Sequence, residues 1–324
     1  MNKANWMAMA AAAFVSACGD GDEGGIPGGE TAGNLAEVAT ERGFTALVAA
    51  ADKAGLVPAL SAPDANLTVF APTDEAFTSL ATTLGFSSAT AMVEAVDADT
   101  LAKVLQYHVL PATRSASDLA GGGATQTTLY EFEGAPAPLG VDATSGVKLT
   151  DEVLTEAVVT TADVPANNGV IHAIDKVLVP PGVLDVVQMA QLNPDFSTLV
   201  AAVVQADLAT TLREAGPFTV FAPTNDAFAA ALAELGVAAD ELLASPDLAD
   251  ILTYHAVAGD VRAADVVALP KPADVTTIQG GTFTVGEDLG ITDARGRTAS
   301  LVAPDVVARN GVIHVIGSVL LPSP

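Results

Sequence analysis

The sequence predicts an α+β fold built twice over. Three observations predict it: an internal duplication, helical spacing at the front of each copy, and a Val-, Thr- and Ile-rich stretch at the back of each. Thr68-Val-Phe-Ala-Pro-Thr-Asp-Glu-Ala-Phe77 recurs as Thr219-Val-Phe-Ala-Pro-Thr-Asn-Asp-Ala-Phe228. Leu105-Gln-Tyr-His-Val109 recurs as Leu252-Thr-Tyr-His-Ala256, and Asn168-Gly-Val-Ile-His172 as Asn310-Gly-Val-Ile-His314. The order is kept, and the offsets drift only from 151 through 147 to 142 residues. That period is too long for a solenoid repeat, so each copy reads as a complete domain, in keeping with a chain of 324 residues.

Residues 1–17 read as a targeting segment rather than as structure. Lys3 supplies the positive start, and the uncharged run Trp6 to Val15 is too short to span a bilayer, which needs about 20 residues. It ends in Val15-Ser16-Ala17-Cys18-Gly19, which resembles the bacterial lipobox. The resemblance implies a lipoprotein signal peptide over 1–17, cleavage before Cys18, lipidation of that residue and a membrane as its partner. Two or three acyl chains anchor stably where one is marginal. In a Gram-negative envelope, Gly19 in place of an aspartate after the cysteine favours the outer membrane. Residues 18–30, with Asp20 to Glu30 reading DGDEGGIPGGE, form an acidic, Gly-rich tether. Asp20-Gly-Asp22 is no EF-hand, because Thr31 stands where the bidentate Glu is needed. The first domain is expected over 31–181 and the second over 182–324, with the boundary at Val179-Pro-Pro-Gly182. The short linker implies limited freedom between them. No later segment reads as transmembrane.

Within each copy the period changes. Phe44, Leu47, Val48 and Ala51 follow helical spacing, as do Phe196, Leu199, Val200 and Val203. Leu67 to Ala71 is a short strand ending at Pro72. Thr73 and Thr224 are placed as helix N-caps, with Asp74, Glu75 and Asp226 in the first turns. Leu101, Val104, Leu105 and His108 make a second helical stripe, matched by Leu248, Ile251, Leu252 and His255. From Thr125 to Val179, and from Val275 to Leu321, the composition and the Gly-rich turns predict strands.

These motifs resemble the fasciclin-type (FAS1) domain family: the TVFAPT segments at 68–77 and 219–228, the pairs Tyr107-His108 and Tyr254-His255, and the NGVIH segments with a following apolar run and Pro at 168–180 and 310–322. The resemblance implies two tandem domains, each a β-wedge of two sheets with helices packed on it. It also implies a role in adhesion or extracellular matrix interaction, as secreted or membrane-tethered modules. In animal relatives a short Asp-Ile segment just before the third motif recognises integrins. Ala303-Pro304-Asp305-Val306-Val307 stands at that position in copy two, with Val306 for Ile, and copy one keeps only Asp163-Val164.

Composition narrows the function classes. Lys+Arg 13 against Asp+Glu 39 gives a net charge of −26, so nucleic acid is not an expected partner. A hydrophobic fraction of 50% is too high for an acidic disordered chain. Cys18 is the one cysteine, which excludes an intrachain disulfide and any cysteine-based metal site. All four histidines, His108, His172, His255 and His314, lie in the repeated motifs. His108 and His255 close an apolar helical stripe, while His172 and His314 alternate with apolar residues along a strand. The expectation for all four is a buried hydrogen-bonding role rather than catalysis or metal binding. Two histidines per copy leave a zinc site short of ligands. Asn225-Asp226 is only a weak cation candidate. No nucleophile elbow, zincin motif, dinucleotide fingerprint or phosphate loop is present. The expected function is therefore a non-catalytic envelope or cell-surface lipoprotein, without cofactor, that adheres to a protein or glycan partner. An envelope carrier of a small apolar ligand is the alternative, and a cavity would favour it. An enzyme with an unrecognised site is the remaining class.

Overall fold

A computed structural model describes residues 33–214 and 216–324. The expected signal peptide, Cys18, the tether and the first two residues of the first domain lie outside the described residues.

In the first copy, front helices α1 (Leu35–Glu41), α2 (Thr45–Lys53) and α3 (Val57–Leu60) lead into β1 (Leu67–Pro72). Then follow α4 (Asp74–Thr83), α5 (Ala89–Ala95), α6 (Ala98–Tyr107), β2 (Val109–Leu110) and α7 (Ala116–Gly121). The strands β3 (Thr125–Phe132), β4 (Ala135–Asp142), β5 (Lys148–Thr150), β6 (Glu156–Ala166) and β7 (Gly169–Ile174) finish the copy. The second copy repeats the order as α8 (Val186–Leu192), α9 (Ser197–Gln205), α10 (Ala209–Glu214), β8 (Phe218–Pro223), α11 (Asn225–Leu235), α12 (Ala239–Leu243) and α13 (Leu248–Tyr254). It continues with β9 (Ala256–Ala258), α14 (Ala263–Ala268), β10 (Ala273–Thr276), β11 (Thr282–Val285), β12 (Ile291–Thr292), β13 (Thr298–Ala299), β14 (Leu301–Ala308) and β15 (Gly311–Ile316).

The helices start where the sequence offers caps. Thr73 and Thr224 each accept from the backbone N–H three residues on, at 3.2 Å. Asn34, Ser88, Asp97 and Ser115 do the same for α1, α5, α6 and α7, satisfying donors that a helix start otherwise leaves open.

The helical front and the stranded back of each copy are stitched together by one parallel pair. β1 runs beside β7, with Val69 opposite Ile171 and Phe70 opposite His172; β8 runs beside β15 in the same register. The pairing explains the glycine of NGVIH. A Cβ on Gly169 would run into the Leu67 carbonyl oxygen, and one on Gly311 into that of Phe218. In copy one the strands form a seven-stranded sheet in the order β2-β1-β7-β6-β5-β4-β3, whereas copy two divides into β14-β15-β8-β9 and β10-β11-β12-β13.

Each copy has two cores. Helices pack on one face of the central strands, around Leu47, Phe77, Leu101 and Ile171 in copy one and Leu199, Phe228, Leu252 and Ile313 in copy two. On the other face the strands enclose Phe70, Tyr107, Leu139, Leu149 and Ile174, and Phe221, Tyr254, Phe283, Val285 and Ile316.

One expectation fails in the same way in both copies. The strands stop at Ile174 and Ile316, not at Val179 and Leu321. The apolar residues beyond them are irregular but buried: Leu178 is 0% exposed and Leu320 1%. Their backbone donors bond to side chains instead of a strand neighbour. The Leu178 and Val179 N–H groups donate to His108 and Asp151, and those of Leu320 and Leu321 to His255 and Asp293. A buried run can forgo a ladder only if its donors find such partners.

Candidate functional site

In each copy one motif histidine fastens the irregular run that follows the last strand. His108 sits just past α6, fully buried among helix and strand. Its Nδ1 lies 2.7 Å from the Val104 carbonyl oxygen, and its Nε2 accepts from the Leu178 N–H at 2.8 Å. A carbonyl only accepts, so the proton sits on Nδ1 and the lone pair on Nε2. His255 repeats this with Ile251 O and Leu320 N–H, both at 2.8 Å. Burial holds both rings neutral and lowers their pKa to about 4.

His172 uses the opposite tautomer. Its Nε2 donates to Arg114 O at 2.9 Å, and its Nδ1 accepts from the Asp163 N–H at 3.1 Å. His314 does likewise with Val261 O and the Asp305 N–H, at 2.9 and 3.2 Å. Phe70 stacks on His172, and Phe221 lies tilted on His314. Each ring has both nitrogens engaged within its own domain.

Beside each Tyr-His pair lies a buried carboxylate that sequence reasoning passed over. Asp151 receives the Lys176 ammonium at 2.8 and 2.9 Å and the Val179 N–H at 2.8 Å. Burial pushes its carboxyl up, against the opposing pull of Lys176. Asp293 stands at the matching place, accepting from the N–H groups of Leu321, Arg295 and Arg297. The signal existed as a short repeat, Leu149-Thr-Asp151 and Ile291-Thr-Asp293, hidden among 39 acidic residues.

The other motif positions are also fastened. Tyr107 and Tyr254 donate their hydroxyls to Pro138 O at 2.9 Å and Thr282 O at 2.7 Å. Asn168 accepts from the Leu35 N–H and donates to Leu60 O and Ala62 O, joining α1 and α3 to the β7 edge. Asn310 accepts from Val186 and donates to Leu212 O. Asp74 accepts from the Thr45 hydroxyl and the Ala46 N–H. Asn225, the weak cation candidate, receives the Thr198 N–H and gives its amide to Pro194 O and Ser197. Among the described residues, no buried side-chain nitrogen or oxygen lacks a partner.

The proposed partner-binding segments are built differently from a surface tip. Val164 and Val306 are 6% and 5% exposed and belong to the helical-face cores. Those two side chains therefore offer a partner little surface on a folded domain. Asp163 and Asp305 hold φ of 57° and reach back to the starts of α7 and α14, accepting from the N–H of Ala116 and Ala263 at 2.8 Å. The Asp163 side and Pro304 remain exposed.

The two copies meet through the linker. Tyr130 donates to Pro181 O at 3.1 Å, and the Gly182 N–H to Val307 O at 2.9 Å. Gly182 has φ +72° and lies against the Phe132 ring, so no side chain fits there. Glu152 of the first copy accepts from the Val307 N–H of the second at 2.6 Å. Arg262 reaches back to Glu133 at 3.2 Å, and Asn193 donates to Val153 O at 2.9 Å.

Two small apolar hollows open on the domains, one in each. One of about 40 Å³ lies among Leu35, Leu47, Leu56, Leu60 and Leu105. The other, about 30 Å³, lies among Phe221, Val266, Val285, Leu301 and His314. A dry cavity that takes a benzene-sized molecule is on the order of 150 Å³, so neither holds an apolar ligand as it stands. Among the described residues there is also no cluster of three or more metal-ligating side chains, and no helix is long and apolar enough to cross a membrane.

The Fasciclin domain family matches residues 42–180 and again 194–322. This chain belongs to the fasciclin domain family. Its two copies are tandem FAS1 domains. Among similar proteins, sll1483 of Synechocystis is 44% identical over 143 residues, covering 43% of this chain and 74% of that protein. The pig transforming growth factor-beta-induced protein ig-h3 is 30% identical over 271 residues, 82% of this fasciclin chain but 36% of the relative. Immunogenic protein MPB70 of Mycobacterium bovis is 37% identical over 142 residues, 41% of this chain and 66% of its own. A solved FAS1 domain pair from the insect cell adhesion molecule Fasciclin I aligns over 89% of this chain and 95% of that one, at 19% identity and a TM-score of 0.45.

Proposed function

We propose that this fasciclin chain is a lipid-anchored envelope protein that mediates adhesion or matrix binding without catalysis. One observation carries the reading: the motif side chains capable of chemistry are spent inside the fold. His108, His172, Asp151 and their second-domain counterparts each bond to groups of their own domain. Binding then falls to the exposed surface, and two similar modules on one chain make a second weak contact effectively intramolecular. Family membership supports the adhesive role. Val15-Ser-Ala-Cys18 supports the anchor, with Cys18 carrying the lipid. A protein or glycan on another surface is the partner class, and the contact involves positions other than Val164 and Val306.

Protease shaving of intact cells carrying wild type or Cys18→Ala tests both halves. The expected result is that wild type is shaved from the surface while the variant is released to the soluble fraction. Wild type that stays protected until the envelope is opened contradicts adhesion to other cells; a variant that stays membrane-bound contradicts the lipid anchor.

A further inference from the structure

Glu152 is placed where a carboxylate is costly. It is partly buried at the junction of the two FAS1 domains, and its Oε1 takes the Val307 N–H from across the joint. Asp151 precedes it on its own segment, with the Lys176 ammonium held by Asp151 at 2.8 Å. Tyr107 lies on the same side, its phenol kept neutral by burial and by the fields of Asp151 and Glu152. Asp305 faces it from β14 of the other domain, with His314 Nδ1 3.9 Å from the Asp305 carboxylate. Arg262, just before α14, is the opposing cation, already shared between Asp260 at 2.7 Å and Glu133 at 3.2 Å.

Among the described residues this contact occurs once, although the domains are copies. At the position of Val307 the first domain has Pro165, which has no N–H to donate. At the position of Glu152 the second domain has Ala294. Arg262 is matched by Ser115, since each opens its helix beside a carboxylate three residues on. The acceptor, the donor and the compensating cation therefore meet only at the internal joint.

We infer that the joint between the two FAS1 domains is a proton-operated latch, closed when Glu152 is protonated and loosened when it is charged. A protonated carboxyl keeps its carbonyl oxygen for the Val307 N–H and adds no charge between Asp151 and Asp305. The ionised form binds the Val307 N–H more strongly but puts a third negative charge into a partly desolvated pocket, and that N–H and Arg262 together offset the cost only in part. Burial, opposed by the Val307 N–H and Arg262 but reinforced by Asp151 and Asp305, raises the Glu152 pKa to about 7 from 4.5. Because the closed-state value is the higher one, the favourable contribution is complete below about 4.5 and is lost as pH rises through about 7. Between pH 5.5 and 8.5 the closing equilibrium should weaken about thirtyfold.

The test uses the full chain with Cys18→Ala to keep it in solution. The readouts are the Val307 amide protection factor, corrected for intrinsic exchange, and small-angle scattering, both from pH 5.5 to 8.5. The expected result is a fall in protection of about thirtyfold, with an increase in radius of gyration. Glu152→Gln should stay closed and flat across the range. Val307→Pro, which copies the first domain's own residue at that place and removes the donor, should give a looser joint by scattering at pH 5.5 with little further change to pH 8.5, while each domain stays folded by circular dichroism. A wild-type joint that does not respond to pH overturns the latch, as does a Glu152→Gln variant that keeps the wild-type response.

Discussion

The two FAS1 domains solve the same packing problem with the same side chains and then part company at their outer strands. Both close the segment after the last strand with a buried histidine and a buried aspartate. Their sheets differ. In the first domain β6 runs unbroken for 11 residues, and the Val158 N–H donates to the Asp175 carboxylate at 2.7 Å. In the second, Gly317 replaces Asp175 and Ser300 replaces Val158, and the corresponding strand breaks into β13 and β14 at Ser300. The β3–β4 hairpin has strands of 8 residues each, and its counterpart β10–β11 strands of 4. The long hairpin carries Tyr130, Phe132 and Glu133, all three of which meet the linker or the second domain. The shared residues thus build the domain, and the differing ones build the joint.

That division can be broken most forcefully at the paired aspartates. Asp151→Ala removes the buried partner of the Lys176 ammonium and should cost about 3–5 kcal/mol. Asp293→Ala should cost less, about 1–3 kcal/mol, because Arg297 keeps Glu234 at 2.6 Å and Val319 O at 3.0 Å. Urea unfolding of the two variants measures the difference; equal losses would mean that Lys176 adds nothing to the first clasp. The smallest effect sharpens the likeness instead. Thr73→Ala and Thr224→Ala should each cost about 1 kcal/mol, equally in both domains, since the caps have the same length. Unequal losses in thermal unfolding would show that the two helix starts are not equivalent.

Much of this was legible in the chain. The helical stripes through Leu47 and Leu101 and the strand ending at Pro72 follow from local periodicity, as does the cap at Thr73. Pairing of β1 with β7 was not, because contact between Val69 and Ile171 leaves no local trace. The runs Val177–Val179 and Val319–Leu321 read as strand since they are short, apolar and follow strand-like sequence. What decides their shape is a histidine some 70 residues away and an aspartate nearly 30 away, and neither is visible in the run itself. Val164 and Val306 resembled a recognition element in sequence order, yet strand alternation turns them into the core.

The central claim is that His108 and His255 are buried, neutral clasps of the two domains while binding lies elsewhere. The most direct test is unfolding stability against pH for wild type and for the His108→Phe, His255→Phe double variant. Both rings have folded pKa values lowered to about 4. Their contribution is complete above about 6.5 and is lost as pH falls through about 4. Wild type should therefore lose several kcal/mol on acidification across that window, on the order of 3 per histidine. The double variant should start about 1–3 kcal/mol lower per site at pH 7, lack that acid limb and, while folded, bind the same surfaces as wild type. An unchanged acid limb, or binding lost at full stability, would contradict the account.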